Sequence, residues 1–152
     1  MREAFKEAEK AKLIEEVPIG AVIVKDKKII GRGYNQRETT NQAVSHAEII
    51  AIAEANTYLD NWRLEECAIF VSLEPCPMCS GAIIMSRIPY VYYAASDYKG
   101  GTAGTLMNLL EDSRFNHQAV VEKNLLQEEA SKLLVDFFKE LRKKKKGNQR
   151  ND

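Results

Sequence analysis

Apolar and polar positions follow clear periodicities in the first part of the chain. The segment AFKEAEKA has apolar residues three to four positions apart, which predicts a first helix that ends near Pro18. Two segments rich in β-branched and apolar residues follow, IGAVIV and KIIGRGY, and the polar residues KDK join them. This arrangement predicts a β-hairpin.

The rest of the chain continues as helices and strands in alternation. The Ala-rich segment SHAEIIAIAEANTYL predicts a helix, CAIFVSL a strand, and the residues that follow Cys76 a further helix. The next predicted elements are a strand YVYYAA, a glycine-rich turn KGGTAG, a short helix TLMNLL, a strand QAVVE and a long helix from about Leu125. Helices that alternate with strands predict an α/β sandwich whose sheet is covered on both faces.

Length and composition limit the possible classes of protein. The 152 residues suit one domain that buries a core without disulfide bonds, so we expect residues 1–152 to form a single domain. Hydrophobic residues make up 45% and charged residues 29%, and no apolar run approaches the roughly 18 residues of a membrane span. The N-terminus MREAFKEAEKAKLIEE lacks the apolar core of a signal peptide. We therefore expect a cytoplasmic protein that does not enter a membrane.

Charge is balanced overall but is distributed unevenly. The chain has 22 Lys and Arg against 22 Asp and Glu, whereas residues 139–152 hold seven basic and two acidic residues. The end of the chain, which we call the basic tail (residues 139–152), is therefore +5 and the remainder −5. A charged tail is often only solvated, but it is also suited to bind a polyanion such as a nucleic acid.

Two cysteines, Cys76 and Cys79, lie where the predicted strand ends and a helix begins, in the segment LEPCPMCSGAIIMSR. They could form a disulfide, a redox pair or part of a metal site. The disulfide fits poorly, because cytoplasmic thiols stay reduced and the chain has only three cysteines.

A metal bound by these thiolates would be zinc, which needs one or two more ligands from the protein. The other cysteine and histidines are Cys67, His46 and His117. Cys67 alternates with apolar residues in the predicted strand, which favours a small buried side chain. His117 lies in the polar segment RFNHQA, where a lone histidine usually serves the surface or a hydrogen bond.

His46 differs because it precedes Glu48 by two positions in SHAE. Residues two apart inside a helix point in nearly opposite directions, so both can serve one site only at a helix end. Ser45 followed by Glu48 predicts that end, because it fits a capping box with Ser45 as the N-cap and Glu48 at the third helical position. The same pattern has a purely structural interpretation, in which these two residues only cap the helix.

Both candidate segments therefore place side chains at the N-terminus of a helix. Cys76 and Cys79 open a helix in which Pro77 is tolerated, since its missing N–H costs little in the first turn. The partial positive charge of helix N-termini favours thiolates. His46 and two thiolates would occupy three positions on zinc and leave the fourth for water, as in a catalytic site, with Glu48 beside the metal as the proton carrier.

The segments HAE and PCPMC, with His46 30 residues before Cys76, match the H-x-E and P-C-x-x-C signature of zinc deaminases. Similarity extends over nearly the whole chain, through EVPIGAVIV, Asn35 after the second strand, NWRLEE, SLEPCPMCSGAI, SRIP, KGGTAG, FNH and LLVDFFKELR. With these segments the chain resembles the bacterial tRNA-specific adenosine deaminases, members of the cytidine deaminase superfamily.

This resemblance implies a fold, a reaction and a cofactor. It implies a three-layer α/β/α sandwich with a central five-stranded mixed sheet, usually assembled as a homodimer. It implies one zinc ion per chain on His46, Cys76 and Cys79, with Glu48 as the general acid and base. The substrate of such enzymes is the wobble adenosine of a tRNA anticodon loop, which becomes inosine.

The resemblance also implies contacts to RNA outside the zinc site. Asn35 would contact the flipped-out adenosine, and flanking nucleotides would pass residues of two loops and the last helix. In that helix Phe137 fits the apolar face, so we expect it in the core and Phe138 on the outside. The predicted RNA-contacting residues beyond Asn35 are Asp97, Lys99, Asn116, His117, Phe138 and Arg142.

Three other interpretations remain open at this point. A thioredoxin-like redox protein also places Cys-x-x-Cys between a strand and a helix, but it gives His46 and Glu48 no role. A structural zinc module would recruit Cys67 or His117 as a fourth ligand. A deaminase of free cytosine or guanine bases or of nucleosides shares the signature, and only the FFKELR helix, the basic tail and the long-range resemblance favour RNA.

Overall fold

A computed structural model describes residues 1–148. The last four residues of the basic tail, 149–152, lie outside the described residues. Helices and strands alternate, as the pattern of apolar residues predicts. The elements are α1 (Arg2–Leu13), β1 (Gly20–Lys25), β2 (Lys28–Tyr34), α2 (Arg37–Thr40), α3 (Ala47–Leu59), β3 (Ala68–Leu73), α4 (Pro77–Met85), β4 (Tyr90–Ala95), β5 (Val120–Glu122) and α5 (Gln127–Asn148).

The strands form one mixed sheet of five strands in the order β2-β1-β3-β4-β5. The predicted hairpin of β1 and β2 is antiparallel, and β1 also pairs antiparallel with β3. The pairs β3–β4 and β4–β5 are parallel, so α4 is the crossover helix between the central strands. This confirms the five-stranded mixed sheet.

Helices cover both faces of the sheet. The helices α3 and α4 share the larger core with one face, where Ala51 and Ile83 pack with Val71. On the other face Phe5 of α1 and Leu134 of α5 pack on Ala94 of β4. The predicted three-layer α/β/α sandwich is therefore confirmed.

The small residues of β2 set the depth at which α3 lies on the sheet. A Cβ added to Gly33 would meet the carbonyl oxygen of Ala47 at 2.1 Å, and one added to Gly31 would meet that of Ala51 at 2.3 Å. Any larger side chain would therefore lift α3 off the hairpin. Because Ala47 is the first residue of α3, this contact also positions the start of the helix.

The structure corrects the sequence prediction at two places. The segment TLMNLL is not a helix but part of a loop with an isolated bridge between Ala103 and Asn108, because its N–H groups find partners outside a helix. The Thr105 N–H donates to the carboxylate of Glu74, and the N–H groups of Leu106 and Leu109 donate to the carbonyl oxygens of Gly101 and Thr102. The first helix ends at Leu13 rather than near Pro18, and Glu15 follows with a left-handed backbone. Within residues 1–148 no helix combines the length and apolar character needed to cross a membrane.

Candidate active site

Two helix N-termini meet at one point, as the sequence predicts. His46 is the N-cap of α3, with an extended backbone at φ −84° and ψ 152°. Cys76 is the N-cap of α4, and Pro77 takes the first helical position. The His46 Nδ1 atom lies 3.6 Å from the Sγ atoms of both Cys76 and Cys79. Residues 30 apart in the chain are thus brought into direct contact.

The three side chains fit a zinc ion. Their ligand atoms all lie within 4.8 Å of one another, and within residues 1–148 they form the one such cluster of metal-binding side chains. A tetrahedral zinc ion would separate a nitrogen and a sulfur ligand by about 3.6 Å, given the usual Zn–N and Zn–S bond lengths. The observed 3.6 Å separations match this value. Two thiolates and an imidazole are also the donor atoms that zinc prefers.

The two thiols differ in how readily they lose a proton. A hydrogen bond with Cys79 lowers the pKa of Cys76 to about 4, and His46 adds to this effect against the opposing effect of burial. The hydrogen bond with Cys76, together with burial and the nearby Glu48, raises the pKa of Cys79. One thiolate therefore forms readily, and the second requires a bound cation to replace its proton.

Glu48 lies beside these ligands but is not one of them. Its side chain is buried, with 4% of the residue exposed, and burial raises the pKa of its carboxyl group to about 7. A carboxyl group with a pKa near neutrality can both accept and deliver a proton at that pH.

The predicted capping box at the start of α3 is wrong. The N-cap is His46 rather than Ser45, which makes Glu48 the second helical residue, and no side chain caps the helix. The Ser45 hydroxyl instead accepts a hydrogen bond from the Thr40 hydroxyl at 2.9 Å. Glu48 therefore does not cap the helix, and the purely structural interpretation of this residue does not hold.

The remaining sulfur and imidazole groups lie outside the cluster. Cys67 is buried directly before β3, where burial raises the pKa of its thiol, so its prediction as a small buried side chain is confirmed. His117 Nε2 donates a hydrogen bond to the carbonyl oxygen of Ile88 at 2.8 Å. Within the described part of the chain neither residue supplies the fourth ligand that a structural zinc module requires. The contact of His46 with both thiols also disfavours a thioredoxin-like redox pair.

A cavity of about 660 Å³ opens beside the cluster and includes His46, Glu48 and Cys76 in its wall. Four of the residues predicted to contact RNA line it: Asn35, Asp97, Lys99 and Phe138. Phe138 is 39% exposed and Phe137 is buried, as the spacing in α5 predicts. Three further predicted residues are not in the wall: Asn116, His117 and Arg142.

The local structure shows how Asn35 and Asp97 are held. The Asn35 amide nitrogen donates to Glu16 and to the Val17 carbonyl oxygen, and its Oδ1 accepts the Arg37 N–H at 3.2 Å. Asp97 Oδ1 accepts the N–H groups of Lys99 and the following glycine at 3.0 and 3.1 Å, so this side chain folds its own loop.

Sequence reasoning missed three side chains in the cavity wall that carry charge or an aromatic ring: Arg37, Tyr98 and Glu74. Tyr98 is 77% exposed and lies between Asp97 and Lys99, which were predicted to contact RNA, so its position in the chain could have indicated a similar role. Arg37 follows Asn35 by two residues, which is a weaker indication that it lines the same cavity. Glu74 belongs to the quoted cysteine segment, but local sequence does not reveal the loop that folds onto it.

Comparison with known proteins decides the family. Residues 1–142 match the MafB19-like deaminase family. The tRNA-specific adenosine deaminase of Bacillus subtilis (strain 168) is 53% identical over 151 residues, which cover 99% of this chain and 94% of that protein. This chain belongs to the tRNA-specific adenosine deaminase family. The predicted resemblance is thereby confirmed, and the chain is an enzyme.

Solved structures agree with the assignment of this chain to the tRNA-specific adenosine deaminase family. A structure from a study of A-to-I editing by tRNA:A34 deaminases is 37% identical with a TM-score of 0.84, covering 88% of this chain and 97% of that one. The guanine deaminase of Bacillus subtilis is 40% identical with a TM-score of 0.61, but the match covers 68% of this chain and 67% of that one. The match to the tRNA deaminase structure thus has the higher TM-score and covers more of both chains than the match to the guanine deaminase.

The three-ligand cluster makes a prediction about metal content. The parent protein should hold about one zinc ion per chain, and His46→Ala or Cys79→Ala should lose most of it, because two ligands hold zinc weakly. Cys67→Ala should retain the parent content, which makes it the matched control. Elemental analysis of the purified proteins measures this. Loss of zinc from Cys67→Ala with retention in His46→Ala would reverse the assignment.

The buried carboxyl group makes a prediction about the stability of the zinc-free protein. Because its pKa rises from 4.5 to about 7 on folding, Glu48 stabilises the fold when protonated, and this contribution is lost as pH rises toward about 7. Replacing it by Gln removes this loss, so Glu48→Gln should gain about 2–3 kcal/mol relative to the parent between about pH 5 and about pH 8.

The measurement is denaturant unfolding of the chelator-treated proteins across that pH range. Glu54→Gln, an exposed position on the same helix, is the control and should follow the parent. A parent and a Glu48→Gln variant whose stabilities change in parallel with pH would contradict the elevated pKa.

Proposed function

We propose that this protein converts the wobble adenosine of a tRNA anticodon loop to inosine by hydrolysis. The observation that carries the proposal is the cluster of His46, Cys76 and Cys79 in the wall of an open cavity, beside a buried acid. Its occurrence in a chain similar over its full length to tRNA-specific adenosine deaminases supports adenosine in RNA as the substrate.

In this proposal His46, Cys76 and Cys79 would hold one zinc ion. Zinc bound there would make a water molecule acidic enough to act as a nucleophile near neutral pH. The two helix N-termini direct their partial positive charge at the same point, which stabilises the thiolates.

Glu48 moves the protons of the reaction. Its carboxylate takes one proton from the attacking water and delivers it to N1 of adenine while the water oxygen bonds to C6. It then transfers the second proton to the amino nitrogen, the C6–N bond breaks, and ammonia leaves. One water is consumed, and the carboxyl group returns to its starting state. Burial supports this role, because it raises the pKa of Glu48 to about 7.

The cavity wall supplies the proposed contacts to the nucleotides. Asn35 faces the target base, and Asp97 and Lys99 contact the flanking nucleotides. Phe138 offers an exposed ring on which a base can stack, as aromatic side chains do in many proteins that bind single-stranded RNA. That Asn116, His117 and Arg142 contact RNA stays a prediction. The homodimer, the single domain and the cytoplasmic location also stay predictions.

A deaminase of free bases is the second candidate, because the chain is also 40% identical to a guanine deaminase over about two thirds of its length. The exposed cationic and aromatic side chains of the wall favour RNA, since a free base would use the inner part of the cavity only. We expect inosine in an anticodon stem-loop after incubation with the enzyme, measured by nucleoside mass spectrometry. Ammonia release from guanine or cytosine, with none from the stem-loop, would replace the proposal by this candidate.

The role of Glu48 is tested by Glu48→Gln. The amide keeps the size of the side chain but cannot carry protons, so turnover should fall by about 10²- to 10⁴-fold while zinc stays bound. The control is Glu54→Gln on the solvent side of the same helix, which should keep the parent rate. A Glu48→Gln enzyme with zinc and near-parent turnover would contradict the mechanism.

The basic tail is tested by replacing Lys143, Lys144, Lys145 and Lys146 with Gln. Lys144 forms an ion pair with Glu15, so three lysines are expected to contact phosphate. Each phosphate contact on single-stranded nucleic acid contributes about 0.7 to the slope of log affinity against log salt, so the slope should fall by up to about 2. Stem-loop binding measured over a range of salt concentrations gives this slope.

The control for the tail is Lys27→Gln/Lys28→Gln, at the opposite end of β1 from the residues of the cavity wall. This variant should retain the parent slope. Identical binding curves for the tail variant and the parent would make the tail a solvated end with no part in RNA binding.

A further inference from the structure

Glu74 is a buried carboxylate next to the zinc-ligand segment, with 2% of the residue exposed. Its Oε2 atom accepts the backbone N–H groups of Ala103 and Thr105 at 3.1 and 3.2 Å. Its Oε1 atom accepts the Thr105 hydroxyl and, at 3.4 Å, the N–H of Asp97. All of these donors belong to residues 97–105, which we call the 97–105 loop.

The partners of the Glu74 carboxyl group are these hydrogen-bond donors rather than a cationic side chain. No lysine, arginine or histidine within residues 1–148 forms an ion pair with it. Hydrogen bonds to a buried carboxylate are stronger than those between neutral groups, and their loss leaves unpaired N–H groups in the interior. Glu74 therefore ties both ends of the 97–105 loop, at Asp97 and at Ala103 and Thr105, to the segment that carries the cysteines.

The 97–105 loop is also packed directly on the segment that carries the cysteines. A Cβ added to Gly101 would lie 2.2 Å from Glu74 Oε2, so only glycine allows this approach. The Thr102 N–H and hydroxyl donate to the Pro75 carbonyl oxygen at 2.9 and 3.2 Å, and the hydroxyl contacts the Ser80 hydroxyl at 2.8 Å. These contacts lie on both sides of Cys76 in the chain.

The other end of this loop forms part of the cavity wall. Asp97, Tyr98 and Lys99 line the cavity, and the last two are exposed where a polynucleotide can reach them. A shift of the loop would move these side chains relative to the zinc ligands while leaving His46, Cys76 and Cys79 in place.

We propose that Glu74 is a positioning residue, which holds the substrate-contacting side of the 97–105 loop in register with the zinc ligands. The inference rests on the proposed function, because it assigns the loop to RNA binding. Glu74 does not touch the reacting atoms. Its effect is expected in the affinity for RNA and in KM more than in the chemical step.

The test compares Glu74→Ala, Glu74→Gln and the parent on an anticodon stem-loop. Glu74→Ala removes all the acceptors, so KM should rise by about tenfold to a hundredfold, while zinc content stays at the parent level. Glu74→Gln keeps one oxygen, which can accept the N–H groups of Ala103 and Thr105, and should restore KM to within about threefold of the parent. Glu66→Ala, beyond the other end of β3, is the control and should not change KM.

If Glu74→Ala does not fold, the variant Thr105→Val provides a second test of the same contact. It removes only the hydroxyl that donates to Glu74 and should raise KM by about fivefold, whereas Thr105→Ser should keep the parent KM. An active Glu74→Ala enzyme with unchanged KM, or one that loses zinc and activity together, would overturn the positioning role. A parent enzyme that leaves the stem-loop unchanged would instead contradict the proposed function, so the two failures are distinguishable.

Discussion

The meeting of two helix N-termini is the constraint on which the site depends. His46 and Cys76 are both N-cap residues, and their extended backbones turn the side chains toward one point instead of along the helices. The start of α3 reaches that point because Gly31 and Gly33 let the helix lie close on the hairpin. The 3.6 Å separations between imidazole nitrogen and thiol sulfurs therefore result from packing across the sheet as well as from the motif itself.

Three buried glutamates near the cavity, Glu16, Glu48 and Glu74, have different surroundings. Glu16 accepts hydrogen bonds from the backbone of Thr39 and from Asn35, and Glu74 accepts the backbone of the 97–105 loop. Both side chains hold loops in place through these bonds. At Glu48 burial outweighs such bonds, and the pKa of its carboxyl group rises to about 7. A buried acid with a pKa near neutrality is suited to proton transfer.

The cavity joins buried Glu48 to an outer wall with exposed charged and aromatic side chains. Its inner part includes His46, Cys76 and Glu48, whereas Arg37, Lys99 and the rings of Tyr98 and Phe138 contribute to the wall from exposed positions. Cations and aromatic rings together suit a substrate with phosphates and unstacked bases. The 97–105 loop connects the two regions, because it contributes to the wall and is bonded to the segment that carries the cysteines.

The amino-acid sequence by itself determined the five strands, the main helices and the choice of His46, Cys76 and Cys79 as a group that could hold a metal. Those features depend on local periodicity and on residue types at short spacing, which a single sequence displays directly. The tertiary structure alone decided that His46 rather than Ser45 is the N-cap of α3 and that TLMNLL is a loop. Both outcomes depend on partners distant in the chain: the cysteines for His46, and Glu74 for the loop. Local propensity does not encode such partners, because they become neighbours only when the sheet and helices pack together.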